Sequence, residues 1–222
     1  LADPEVRSQA RFIVYGSHEL LSYSADAAEI NCFWFRHPHE DVQRVESGVV
    51  VADFDECDAP THSPAKPSAK AGAMSLRFLD EAIAAAKSGL ADAIVTGPIH
   101  KTSWKLAGCN KPGHTEYLAS AFKVRKVTMM FAGGPLRVAL ASTHLGLFKL
   151  RDSFTIGRVF QPIDPLDAAL RRWFAIEHPR IAVAGLNPHA SENGLFGDEE
   201  VRVIEPAIVM ARELGINVQG PF

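Results

Sequence analysis

The chain of 222 residues is long enough for one large α/β unit or two lobes of about 100 residues, each with an ample core. An apolar fraction of 47% and a charged fraction of 22% exclude disorder and fibrous repeats. Lys and Arg total 23 against 26 for Asp and Glu, a net charge of −3, which removes any global electrostatic case for nucleic acid or an anionic membrane surface.

Short β-rich runs alternate with helical patterns along the chain. Strands are predicted at 12–15, 49–54, 91–96, 127–132, 136–143, 181–186 and 216–219. Most are continuously apolar, as expected when helices cover both faces of a sheet. A helix is predicted over 69–88, with Ser68 as N-cap, Gly89 closing it and Leu76, Leu79, Ile83, Ala86 and Leu90 on one stripe. A second is predicted over 165–176, capped by Asp164, with Leu166, Ala169, Leu170 and Trp173 facing inward. A third covers 199–214, with Val201, Ile204, Ile208, Ala211 and Leu214 on one side, and Pro206 predicts a kink or a late start. Residues 55–70 read as a surface loop. This alternation predicts an α/β fold with a largely parallel or mixed sheet and a boundary between lobes near 122–126.

No apolar run reaches the ~18–20 residues of a membrane span, and the start lacks a signal-peptide pattern. Cys32, Cys57 and Cys109 are odd in number and form no CxxC pair, which fits a reducing compartment. A soluble, cytoplasmic chain without membrane or nucleic-acid partners is therefore expected.

Ligands of open α/β sheets gather at the carboxyl ends of strands, and three polar clusters fall there. Thr96-Gly97-Pro98-Ile99-His100-Lys101 reads either as an anion-binding turn or as a plain βα turn with a solvated lysine. Gly113-His114-Thr115-Glu116 offers a hydrogen-bonding pair, or Thr115 merely caps a helix. Thr143-His144 and Asn187-Pro188-His189 put two imidazoles at two strand ends, where they are either structural or metal-ligating. A catalytic zinc usually takes three protein ligands; His100, His114 and Asp152 are the candidates for a third. His18, His37, His39, His62 and His178 are assigned to the surface. There is no GxGxxG, GxxxxGK[ST], GxSxG or HExxH motif, so Rossmann dinucleotide binding, phosphate-loop and serine-hydrolase chemistry are disfavoured. The residues alone support a metal-assisted α/β enzyme of a small anionic substrate.

In this order, 93–101, Gly113-His114-Thr115-Glu116, 136–145 and 185–190 with Gly197-Asp198-Glu199-Glu200 resemble the 4-hydroxythreonine-4-phosphate dehydrogenase family of vitamin B6 biosynthesis. They resemble equally its relatives that oxidise 4-phosphorylated threonate or erythronate. The resemblance runs from the helix at Ser68 to the end. It implies a three-layer αβα fold like isopropylmalate dehydrogenase, with a cleft between lobes at 1–125 and 126–222, both incomplete. It further implies a homodimer and NAD bound without a GxGxxG. His114 and Thr115 would bind the phosphorylated substrate, and His144 and His189 would ligate a divalent metal (zinc, magnesium or cobalt). The family's chemistry is NAD-dependent oxidation of a hydroxy acid with loss of CO2 from the resulting β-keto acid, the metal assisting. The sequence departs from the family at Gly146, usually Pro, at Phe148, often basic, and at Pro162 and Pro165, which interrupt one helix. Set against the family, the chain reads as about 100 residues short, lacking an opening segment and the segment carrying a third ligand histidine. A non-catalytic truncated product and a metal-dependent hydrolase are the alternative readings.

Overall fold

The computed structural model describes residues 1–42, 48–55 and 66–222, and the chain divides into two compact units, Leu1–Lys123 and Val124–Phe222. Most of the predicted 55–70 loop, including Cys57 and His62, lies outside the described residues. No described helix is long and apolar enough to cross a membrane.

The first unit opens with α1 (Pro4–Ser8), β1 (Phe12–Gly16), α2 (His18–Ala27), β2 (Phe35–Pro38) and β3 (Val49–Asp53). The three strands form a parallel sheet in the order β1-β3-β2, with Phe12 opposite Val49 and Phe35 opposite Val50. The central strand, Val-Val-Val-Ala-Asp, is buried throughout, as its unbroken apolar run predicts. α1, α2 and β2 were not foreseen; β2 is fully exposed and carries Arg, His and Pro, so no apolar pattern announces it.

Next comes α3 (Ala69–Ser88), with both predicted caps in place: Ser68 Oγ accepts from Ala71 N, and Gly89 closes the helix at φ 77°. Leu79 and Ile83 carry its stripe into the core. α4 (Lys101–Leu106) crosses α3 at close range, and α5 (His114–Ala121) follows. Residues 91–96, predicted as a strand, are irregular; no described strand pairs with them, and Val95 stays 90% exposed.

The second unit contains a hairpin of β4 (Met130–Gly133) and β5 (Leu136–Ala139), then α6 (Leu147–Ser153), α7 (Ile156–Phe160), α8 (Ile163–Phe174), β6 (Ile181–Ala182), α9 (Glu205–Glu213) and β7 (Val218–Gln219). β6 and β7 pair in parallel, and hydrogen bonds between Val183 and Gln219, Gly185 and Phe222 continue the pairing beyond the formal strands. The described strands thus form three small sheets rather than one.

Helix boundaries moved for identifiable reasons. α8 starts at Ile163, with Pro162 as cap and Asp164 inside its first turn; Ile163, Leu166, Ala169, Leu170 and Phe174 face inward, and Trp173 is 73% exposed. A π-helical turn, Glu200–Ile204, precedes α9, and Pro206 lies in the first turn of α9, the late start that Pro206 predicts. The wider turn changes the helical phase. Val203, Ile204, Ala207, Ile208 and Ala211 are therefore buried, whereas Val201 and the terminal Leu214 face outward.

Gly72 sets the separation of α3 and α4. A Cβ built on it would lie 2.0 Å from the carbonyl oxygen of Ser103, while Ser103 Oγ accepts from Ser68 N at 3.2 Å. Trp104, buried at the same crossing, donates from Nε1 to Ser75 Oγ at 2.7 Å. Gly72→Ala must push the helices apart, and it is expected to cost about 2 kcal/mol or more. Urea unfolding followed by tryptophan fluorescence measures this; unchanged stability would contradict the close approach.

Candidate functional site

The first unit holds the candidate substrate residues. His100 is the N-cap of α4: its Nδ1 accepts from Ser103 N at 3.4 Å, so this ring nitrogen is engaged in the fold. Lys101, the next residue, reaches toward the second cluster; a Cβ on Gly113 would lie 3.8 Å from Lys101 Cε and 3.7 Å from Glu116 Oε2. The two clusters that the sequence separates by a dozen residues therefore adjoin. Gly113 precedes α5 without a side-chain cap, and His114 is already helical. Thr115 sits within the first turn and does not cap the helix.

His114 is half-buried edge-on to Trp104, with ring centroids 5.3 Å apart. Burial lowers its pKa below the ordinary 6.5, because the site disfavours the imidazolium. Tyr117, one turn on, packs on the same indole and donates its hydroxyl to Asp80 at 2.7 Å. Burial and that hydrogen bond push its pKa up to about 12. A neutral imidazole beside the exposed turn can donate or accept toward a substrate oxygen.

The candidate metal residues belong to the second unit. His144 is exposed in the left-handed region at φ 54°, five residues beyond β5. His189 is held on three sides: its N–H donates to Asn187 Oδ1 at 2.8 Å, its Nδ1 meets Glu192 Oε1 at 2.8 Å, and its ring stacks on Phe196 at 4.7 Å. A carboxylate on Nδ1 fixes the tautomer that presents Nε2 as a donor, the usual arrangement of a ligating histidine. The donor set therefore suits a divalent cation but is partial. Among the described residues no group of three or more His, Cys, Asp or Glu side chains is disposed to hold a metal ion. Asp152 lies in α6, exposed.

The roles of three residues were invisible in the sequence. Glu200, fully buried, accepts from Leu186 N at 2.8 Å and Asn187 N at 3.2 Å, a link across 14 residues that no local pattern encodes. His39 was assigned to the surface, yet it stacks on Phe54 at 4.0 Å, and its Nδ1 lies 3.2 Å from Asp53 O. His18 is likewise half-buried and accepts from Trp34 Nε1 at 3.1 Å. His37 and His178 are exposed, as expected. An apolar recess of about 250 Å3 between α2 and the sheet is lined by none of the candidate residues.

Two expectations follow. A histidine whose folded pKa is depressed binds fewer protons folded than unfolded. Stability is therefore lost as pH falls below about 6.5, down through the lower folded value. His114→Gln should flatten that slope, and the His114 ring proton, followed by NMR, should titrate below 6.5. At Gly146 the backbone (φ −64°, ψ 141°) already matches proline. Gly146→Pro is expected to raise stability by about 0.4–1 kcal/mol, readable as a higher Tm.

The profile of the family described as pyridoxal phosphate biosynthetic protein PdxA matches residues 8–222. A 4-hydroxythreonine-4-phosphate dehydrogenase of Cupriavidus pinatubonensis is 40% identical over 96% of this chain and 62% of its own length. A D-threonate 4-phosphate dehydrogenase of Salmonella typhimurium is 45% identical over 70% of this chain and 47% of its own. The crystal structure of a 4-hydroxythreonine-4-phosphate dehydrogenase from Klebsiella pneumoniae superposes with a TM-score of 0.82 at 34% identity, covering 94% of this chain and 63% of that one. The chain thus spans less than two thirds of the length of these relatives, in a mixed α/β fold that it shares with their solved structures. It belongs to the PdxA family of dehydrogenases.

Proposed function

We propose that the whole protein oxidises a 4-phosphorylated hydroxy acid with NAD and a divalent metal, with decarboxylation, and that 4-hydroxythreonine 4-phosphate is the substrate. The observation that carries this reading is the built setting of His189: an imidazole fixed by backbone, carboxylate and aromatic contacts in a strand-end loop, in a chain of this family. His144 and His189 hold the metal, with the remaining ligands supplied from outside the described residues or by substrate oxygens. Bound there, the cation supplies Lewis acidity and NAD the hydride acceptor. His114 and Thr115 orient the substrate from the first turn of α5. Burial keeps His114 neutral, so it bonds to substrate without adding a cation. The substrate phosphate supplies binding energy remote from the reacting carbon. The fold in this proposal is the three-layer arrangement of isopropylmalate dehydrogenase, and the working form is a cytoplasmic homodimer.

A second substrate is favoured by the similarity to a D-threonate 4-phosphate dehydrogenase, and 4-phospho-D-threonate or erythronate is the alternative. A further alternative, that the 222 residues alone form a non-catalytic chain, is favoured by the partial donor set. NADH absorbance with the complete protein and each substrate distinguishes these readings. Turnover of the hydroxythreonine ester above the sugar-acid esters is the expected result, and no NADH from any of them sinks the proposal. His189→Ala should lower kcat/KM by at least about 100-fold, while metal analysis and NAD titration of the 222-residue chain report on its own competence.

A further inference from the structure

The loop that presents His189 is rooted on a buried residue that follows it in the chain, Glu200. The strand pairing that begins at β6 continues to Gly185, whose N–H donates to Phe222 O at 2.7 Å. The next two N–H groups, of Leu186 and Asn187, have turned away from the ladder, and both are taken by a single oxygen, Glu200 Oε1. Glu200 is 0% exposed and opens the π-helical turn that precedes α9. Asn187, so fixed, accepts from His189 N through its own Oδ1 and donates from Nδ2 to Phe196 O at 3.1 Å, and Phe196 is the ring on which His189 stacks. The turn is tight: a Cβ on Gly185 would lie 3.1 Å from Ala190. The restraint on His189 N thus runs through Asn187 to one buried oxygen, while His189 O accepts from Glu192 N at 3.0 Å.

We infer that Glu200 is a positioning residue for the metal site: by accepting from Leu186 and Asn187 it sets where His189 presents Nε2. The inference rests on the proposed reading of His189 as a ligand. Its chemistry depends on reach. A carboxylate oxygen at this position can receive two diverging N–H groups, and its burial excludes the water that would otherwise compete for them. Glu200→Gln keeps an acceptor oxygen at the same distance. Glu200→Asp keeps the carboxylate but shortens the stem by one methylene, enough to break a 2.8 Å bond in a packed site.

Cobalt(II) titrated into the metal-free complete protein, followed by its visible absorption, reads the site without turnover. Glu200→Gln should bind within about threefold of the parent, and Glu200→Asp should bind about tenfold or more weakly. Amide hydrogen exchange at Leu186 and Asn187 should accelerate in the Asp variant alone, while cooperative thermal unfolding persists in both. Equal binding by Glu200→Asp and the parent, or a loss in Glu200→Gln as large as in His189→Ala, overturns the inference. Parent-like cobalt binding by His189→Ala overturns the ligand reading and this inference with it. Weakened binding in His189→Ala with unchanged binding in Glu200→Asp overturns this inference alone.

Discussion

A parallel strand that ends inside a protein leaves backbone N–H groups with no ladder partner, and each one buried without a substitute costs about 1–3 kcal/mol. Both units of this chain meet the constraint with a buried carboxylate. In the first, Asp53 ends the central strand. It accepts from His18 N at 2.6 Å, at the first residue of α2, and from Arg36 Nε at 2.6 Å, on the neighbouring strand. One side chain thereby ties all three strand ends: it closes β3, starts the helix after β1 and pins β2. In the second, Glu200 does the same for the strand end before His189. Polar chemistry can be offered at these edges because the backbone beneath has already been satisfied from within.

The helical side of the first unit solves a different problem. α4 is only six residues long, too short to be stable in isolation, and it is held by contact with α3. Gly72 lets the backbones meet, Ser103 and Ser68 bond across the crossing, and Trp104 fills the space behind them. The same indole is the surface on which His114 and Tyr117 rest. The packing that holds α4 therefore also fixes the orientation of the candidate substrate turn and sets the apolar surroundings that lower the His114 pKa.

Features governed by local rules were legible in the sequence. Ser68 and Gly89 bound α3 as their cap chemistry requires, the unbroken Val-Val-Val run is the buried central strand, and Pro206 delays α9. What depends on distant partners was not legible. Residues 91–96 have strand composition, but a strand exists only against a neighbour, and no described one pairs with them. Trp173 is exposed because the inward stripe of α8 steps from Leu166 and Leu170 to Phe174, which meets the core in its place. His39 looked solvated in a polar run, yet Phe54, the residue after the strand, provides a ring to stack on. His144 and His189 were visible beyond predicted strands; the groups that surround His189, Glu192 and Phe196, and Glu200 beneath its loop, follow later in the chain and needed the fold.

Backbone conformation separates the candidate loops from ordinary turns. Among the described residues six non-glycine positions have positive φ: Glu29, Lys123, His144, Ala175, Ala190 and Glu192. Ala175 is the left-handed cap of α8, a conformation helix ends commonly take. His144, Ala190 and Glu192 are different. One is a candidate ligand, one follows the other ligand directly, and one supplies the carboxylate on its ring. Each costs about 1–2 kcal/mol relative to right-handed backbone, and glycine at any of them would remove the cost. At 144 glycine would also remove the imidazole, and at 192 the carboxylate that meets His189. Stability alone does not account for strain gathered around these two histidines. Under the proposed metal role, the need to hold each donor atom in place accounts for it, in agreement with the interlocked Asn187, Glu192 and Phe196 contacts that leave the His189 ring little freedom to turn.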